Sequence, residues 1–228
     1  MVTDLATLEA RVQAFVKDSG AADWTTAELD QAIRLALSEV SHLCPARAVG
    51  SIAATAAVYE YSVSTLTGLQ TVVEVWYPYL STDAVYKLTH AIPFRMIDDA
   101  TLMISSDEED DDGVAIVPAV GYYLRVFYEK EQTLAGLDSA SATTLSGAEK
   151  SCLVLGAGGF AAVAKAQYLA NRVTTGKDAA DLVAKWGNDR LVEFRARAQA
   201  LALGVSSVGL ADEEDARVSG WTDEDLDI

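Results

Sequence analysis

Ten residues, Cys152-Leu-Val-Leu-Gly156-Ala-Gly158-Gly-Phe-Ala161, carry the pattern GxGxxA behind an apolar run. In a strand-turn-helix setting such glycines let the pyrophosphate of a dinucleotide approach a helix N-terminus. Asp178 lies near the distance at which an acid would meet the ribose. That chemistry would make the chain a nucleotide-binding oxidoreductase. Its local context argues otherwise. Ser146 and Glu149 form a capping box, in which hydroxyl and carboxylate each satisfy a free backbone donor, so a helix starts before the supposed strand. No apolar strand precedes Asp178, and strands do not alternate with helices along the chain. The glycines are therefore expected inside a helix, at a tight helix–helix contact. Each costs the helix about 1 kcal/mol relative to Ala, which close packing must offset.

Other candidate chemistry is weaker. Glu108-x-Asp110-x-Asp112-Gly113 imitates the opening of a calcium loop, but its twelfth position is Ala119, so the bidentate carboxylate is missing. The histidines are His42 and His90, and neither accompanies a Ser or Cys motif that it could activate. The cysteines, Cys44 and Cys152, sit in different segments with no CxxC spacing. They read as two buried thiols in a reducing compartment. No catalytic set, metal site or cofactor is expected, and the chain reads as a non-enzyme.

The elements around these residues follow from periodicity. Leu5, Leu8, Val12, Phe15 and Val16 recur at helical spacing, predicting a helix from Asp4 to Lys17 capped by Thr3 and ended by Ser19-Gly20. A second helix starts at Thr25, whose capping box uses Glu28, with Trp24 placed to staple onto Leu29. Leu29, Ala32, Ile33, Ala36, Leu37 and Val40 form its buried stripe, and Pro45 stops it. From Val49 to Thr133 short β-branched and aromatic runs alternate with turns. Strands are predicted at 58–63, at 71–77 ended by Pro78, and at 85–89, 94–97, 101–104, 114–117 and 122–128. After a Ser/Ala/Gly-rich connection, a third helix runs from Ser146 to about Val173, ended by 174–176. A fourth runs from about Asp178 to Leu203, capped by Gly204. Leu182, Val183, Trp186, Leu191, Phe194 and Leu201 are expected to face inward, with Asp181/Lys185 and Glu193/Arg197 as ion pairs outside.

The fold expected is α+β: a four-helix bundle-like body, an inserted antiparallel β domain and an extended acidic C-terminal tail. Its parts are the helix pair 1–48, the β insertion 49–133, the helix pair 134–203 and the tail 204–228. The net charge of −17 is concentrated rather than general. Asp107, Glu108, Glu109, Asp110, Asp111 and Asp112 form an unbroken acidic loop, and the tail holds eight acids against one Arg. Without these stretches 20 acids face 16 bases. Six adjacent carboxylates need water, which places the loop at an exposed hairpin tip. Val205, Val208, Leu210, Val218, Trp221, Leu226 and Ile228 are apolar anchors spaced irregularly along the tail, the pattern of a segment ordered by a partner. The composition excludes a basic nucleic-acid-reading surface. The apolar run 152–164 is too short to span a bilayer, and Asp4 and Glu9 interrupt any signal-peptide pattern, so no membrane partner is expected.

Two stretches resemble the head-to-tail adaptor (connector) proteins of tailed bacteriophages. One is the N-terminal helix pair with Trp24-Thr25-x-x-Glu28-Leu29-Asp30-x-Ala32-Ile33. The other is Tyr128-Glu129-Lys130-x-Gln132-Thr133-Leu134, then Thr144-Leu145, then Leu155-Gly156-Ala157 and an Ala-rich helix to Asn171-Arg172. The resemblance covers the helical ends, about half of the chain. It implies a ring-forming neck protein of the virion, often dodecameric, assembled in the host cytoplasm. Its partners would be other copies of itself, the portal protein, and stopper or tail-terminator proteins. Double-stranded DNA would pass through without sequence-specific binding. The tail would dock on the portal, and acids facing the channel would let DNA slide. A stopper or tail-completion protein is the neighbouring alternative within the neck.

Overall fold

The computed structural model describes residues 4–17, 24–80, 90–105, 117–171 and 177–203. The Thr3 cap, the Ser19-Gly20 stop, the 85–89 strand, the acidic loop, residues 114–116 of a further strand, the 174–176 stop, Gly204 and the tail lie outside them. Among the described residues are helices α1 (Leu5–Phe15), α2 (Thr26–Leu43), α3 (Gly147–Ala170) and α4 (Lys177–Ala202). The strands are β1 (Ala46–Ala53), β2 (Glu60–Ser62), β3 (Leu69–Tyr79), β4 (His90–Ala91), β5 (Phe94–Asp98), β6 (Thr101–Ile104) and β7 (Tyr123–Lys130). The fold is a mixed α and β one with two small antiparallel sheets, compatible with the α+β class.

Contacts divide the chain into a helical unit, Met1–Cys44 with Leu134–Ile228, and a β unit, Pro45–Thr133. The first division falls at Cys44/Pro45 rather than after residue 48, because β1 already begins at Ala46.

Local chemistry starts the helices. Asp4, counted into the first helix by its spacing, is instead its N-cap and accepts a hydrogen bond from Thr7 N–H at 2.9 Å. Thr25 and Glu28 form the capping box of α2, with Thr25 N–H donating to Glu28 Oε2 at 2.7 Å and Glu28 N–H to Thr25 Oγ1 at 3.3 Å. Ser146 and Glu149 repeat it at α3. The Trp24 indole N–H donates to Ala161 O on α3 at 3.2 Å.

α3 packs against α1, α2 and α4, so it is apolar on most of its circumference. Its 24 residues are long and apolar enough to cross a membrane, longer than the 152–164 run alone suggests. Cys152, Leu153, Leu155, Ala157 and Ala161 are instead buried in one core with Leu8, Val12, Leu29, Ile33, Val40, Leu191 and Phe194. α4 corrects one expectation. Leu182 is 68% exposed and Trp186 38% exposed, whereas Ala180, Leu191, Phe194 and Ala198 are buried. At about 100° per residue, positions 182 and 186 lie on a different sector from 180, 187, 191, 194 and 198. Hydrophobic size does not mark the buried stripe, because Ala and Gly occupy three of these five positions. Arg197 pairs with Glu193 as expected from their spacing.

In the β unit one sheet has the order β1-β7-β3-β4 and the other β2-β6-β5. Both contribute to a single apolar cluster. Val72, Val75, Tyr77, Leu124, Val126 and Tyr128 come from the first sheet, and Tyr61, Leu102 and Ile104 from the second. On β7 the inward residues alternate strictly at 124, 126 and 128. On β3 they step from Val72 to Val75, because the pairing with β7 shifts register between Val72 and Glu74. β3 also runs on through Pro78, where the sequence places its end. Pro78 lies in the irregular stretch between Trp76 and Tyr79, so its missing N–H removes no regular ladder bond.

Candidate functional site

The dinucleotide-like glycines lie in the middle of α3, away from any helix N-terminus. A Cβ on Gly156 would sit 2.8 Å from the Phe194 ring, one on Gly158 2.5 Å from the Phe15 ring, and one on Gly159 2.9 Å from Leu191. Gly187 of α4 answers Gly159 closely: a Cβ there would be 3.0 Å from the Gly159 carbonyl oxygen. These residues let two helix backbones and two aromatic rings approach each other. The strand-turn-helix context that a pyrophosphate needs is not built from them.

Neither Cys44 nor Cys152 forms a disulfide. The Cys152 thiol is buried and points at the Phe194 carbonyl oxygen, 3.6 Å away. Burial pushes its pKa up to about 11, which disfavours the nucleophilic thiolate. Cys44 is only partly buried, and its thiol meets Glu149 Oε1 at 3.3 Å, so the acid that caps α3 also holds the end of α2. His42 is exposed in the last turn of α2. His90 lies in β4, paired through its backbone with Tyr77. Among the described residues no group of three or more His, Cys, Asp or Glu side chains is placed to hold a metal ion.

Two features that sequence reasoning missed remain. The first is a pair of carboxyls across α1 and α2. One oxygen of Asp30 is buried without a hydrogen-bond partner. Burial first, then a hydrogen bond with Asp30 and repulsion from Asp30 and Asp4, push Glu9 up to about 7. The folded chain thus holds this proton better than the unfolded one. Its stabilising contribution is full below the ordinary value of 4.5 and is lost as pH rises through about 7. Glu9 is only partly buried, so screening by water limits the effect to about 1 kcal/mol. Glu9→Gln is expected to flatten the fall in urea midpoint between about pH 5 and pH 8, and to raise the midpoint at the higher pH. An unchanged slope would show that the pair ionises independently.

The second feature is an apolar groove of about 380 Å³ in the helical unit, lined by Phe15, Val16, Lys17, Trp24, Ala162, Leu182, Val183 and Trp186. Phe15 rests on the bare backbone at Gly158 and meets Trp186 at 5.7 Å between ring centroids. Lys165 Nζ lies 5.4 Å from the Trp24 ring and 5.7 Å from that of Tyr168. The signal for this groove was the pair Leu182 and Trp186, one turn apart but off the stripe that meets α3. The acidic loop and the seven tail anchors lie outside the described residues, so none of them is placed relative to it. No protein-family model matches the chain, and no curated protein matches it.

Proposed function

We propose that the chain is a structural assembly protein, a head-to-tail adaptor that forms a ring between the portal and the tail of a bacteriophage virion. The observation that carries the reading is the exposed apolar surface of the helical unit. Tyr168, Leu182, Trp186, Val192 and Leu203 all present much of their side chains to water, up to 80% for Leu203. Large apolar side chains that a fold leaves outside favour burial against a partner. The helical-end resemblance supplies the kind of partner: neighbouring copies and the portal. A closed ring needs a heterologous interface, with two different faces of each subunit covered.

In this reading the four helices form a bundle-like body, the β unit is an insertion, and residues 204–228 are the portal-docking tail. The acids of the loop and tail would discourage phosphates from adhering to the channel while DNA passes. The protein would act in the virion neck without catalysis or a cofactor.

Electron microscopy of the purified chain, with and without a portal ring, tests this. Rings that stack on the portal are expected. Deleting residues 204–228 should abolish stacking while leaving the circular dichroism of the body unchanged. Stacking that persists in the deletion removes the role of the tail, and a chain that never forms rings, alone or on the portal, removes the adaptor reading.

A further inference from the structure

We propose that the outer edge of β1 is a self-association surface, where the β1 strands of two copies pair antiparallel about a two-fold axis at Gly50. β1 is an outer strand of its sheet, bonded to β7 on one side. Among the described residues nothing bonds to its other side. The ladder fixes which backbone groups face outward. Ala46–Ala53 runs against β7 without a register shift, and the next N–H along, that of Ala54, donates to Tyr122 O at 2.9 Å. Residues two apart on a strand point their N–H and C=O groups to the same side. Ala48, Gly50 and Ile52 therefore bond to β7, and Arg47, Val49, Ser51 and Ala53 offer their N–H and C=O groups to the free edge.

Bare strand edges recruit other strands, so proteins keep them short or blunt them with charge, proline or a bulge. The other outer strands of the two sheets are protected in these ways. β2 has three residues and β4 two. β5 carries Arg95 and Asp98, and its pairing with β6 shifts register between Met96 and Asp98. β1 runs for eight residues with Arg47 as its one charge and with no proline or bulge. An edge of that length is satisfied by a strand of matching length. Among the described strands with a free edge, that is β1 of a second copy.

The side chains select the register. Ala48 and Ile52 pack against the apolar cluster, while Arg47, Val49, Ser51 and Ala53 are exposed on the other face. Like faces stay together, and every outward backbone group finds a partner, when Arg47 lies opposite Ala53, Val49 opposite Ser51, and Gly50 opposite Gly50. Moving the axis to Val49 leaves the groups of Ala53 unmet. With the axis at Gly50, large meets small on both faces, Ile52 against Ala48 and Val49 against Ser51. The axis falls on a non-hydrogen-bonded pair, where Cα atoms approach to about 4.5 Å, and glycine occupies it. The two Arg47 side chains sit at opposite ends of the paired strands, about 20 Å apart and beyond a Debye length. A two-fold contact closes on itself at two copies, so it does not build the ring, and the two readings stand or fall separately.

Amide hydrogen exchange of the full-length chain tests it, resolved residue by residue by nuclear magnetic resonance at low and high protein concentration. The amides of Ala48, Gly50 and Ile52 should be protected throughout, and those of Arg47, Val49, Ser51 and Ala53 only where the chain associates. Val49→Pro removes an outward N–H and none of the bonds to β7. Residues 48, 50 and 52 should then stay protected, while self-association, read by sedimentation equilibrium, weakens about tenfold. Val49→Lys changes a side chain that is 51% exposed and brings two ammonium groups together near the axis, so it should weaken association without touching the backbone. Outward amides that exchange freely at every concentration overturn the proposal, even in a chain that forms rings through other faces. Protection independent of concentration also overturns it, because the occupant then belongs to the same chain. So does association indifferent to both substitutions.

Discussion

Phe194→Ala is expected to destabilise the helical unit by about 3–5 kcal/mol, the cost of deleting a large ring whose cavity the surroundings cannot refill. Phe194 is completely buried on α4. Its ring covers the position where a Cβ on Gly156 would sit, at 2.8 Å. That contact makes a second, opposite prediction. Gly156→Ala alone should gain about 1 kcal/mol of helix propensity but lose about 1–3 kcal/mol to overpacking, for a small net loss. In the Phe194→Ala background the ring is gone, and the same substitution should stabilise. The coupling energy of the double-mutant cycle is then about 1–3 kcal/mol, read from urea unfolding followed by helical circular dichroism. Should the alanine at 194 leave too little structure, Phe194→Leu gives the same sign with a smaller cavity. Additive effects would show that Gly156 is not held open for this ring.

The cycle also decides what the GxGxxA pattern is for. A phosphate-binding glycine needs open backbone, whereas these three face Phe194, Phe15 and Leu191. The sequence carried that distinction, but not in the glycines themselves. It lay in Ser146 and Glu149, whose reciprocal hydrogen bonds fix a helix start upstream. Capping is local, so both boxes were legible from four residues each. The strands on which aromatic and β-branched residues alternate were legible for the same reason. β1 was not. Ala-Arg-Ala-Val-Gly-Ser-Ile-Ala has little β propensity, and its Gly50 is set by a distant neighbour, since a Cβ there would lie 2.3 Å from Leu66 Cδ2.

The candidate groove was half legible. Leu182 and Trp186 stood out as apolar, and apolar residues on a helix are assigned inward by default. What decides their exposure is the close approach of α3 and α4 at Gly159 and Gly187. Small residues select the contacting face there, and hydrophobic size does not report it. The Glu9–Asp30 pair was not legible at all. It joins two helices whose facing sectors are fixed only once both pack on α3. Structure adds most where two distant segments choose each other.

Val126→Asp is expected to unfold the β unit while leaving the helices folded. Val126 lies on β7, between β1 and β3, opposite Gly50 and Val75, and is fully buried. A carboxylate placed there has no basic partner within the cluster, whose buried side chains are aliphatic apart from three tyrosines. Burying it unpaired costs several kcal/mol, comparable to the whole stability of a small domain. Val126→Thr keeps the shape and adds one hydroxyl, so it should cost only about 1–3 kcal/mol. The difference between the two isolates the charge. The helical core contains none of these residues: Leu8, Ile33, Leu153 and Phe194 belong to a separate cluster. Hydrogen exchange should therefore show β1, β3 and β7 amides losing protection in the Asp variant, with α3 amides still protected. Loss of protection in both units together would mean that the two cores fold as one, and that the insertion is part of what holds the helices.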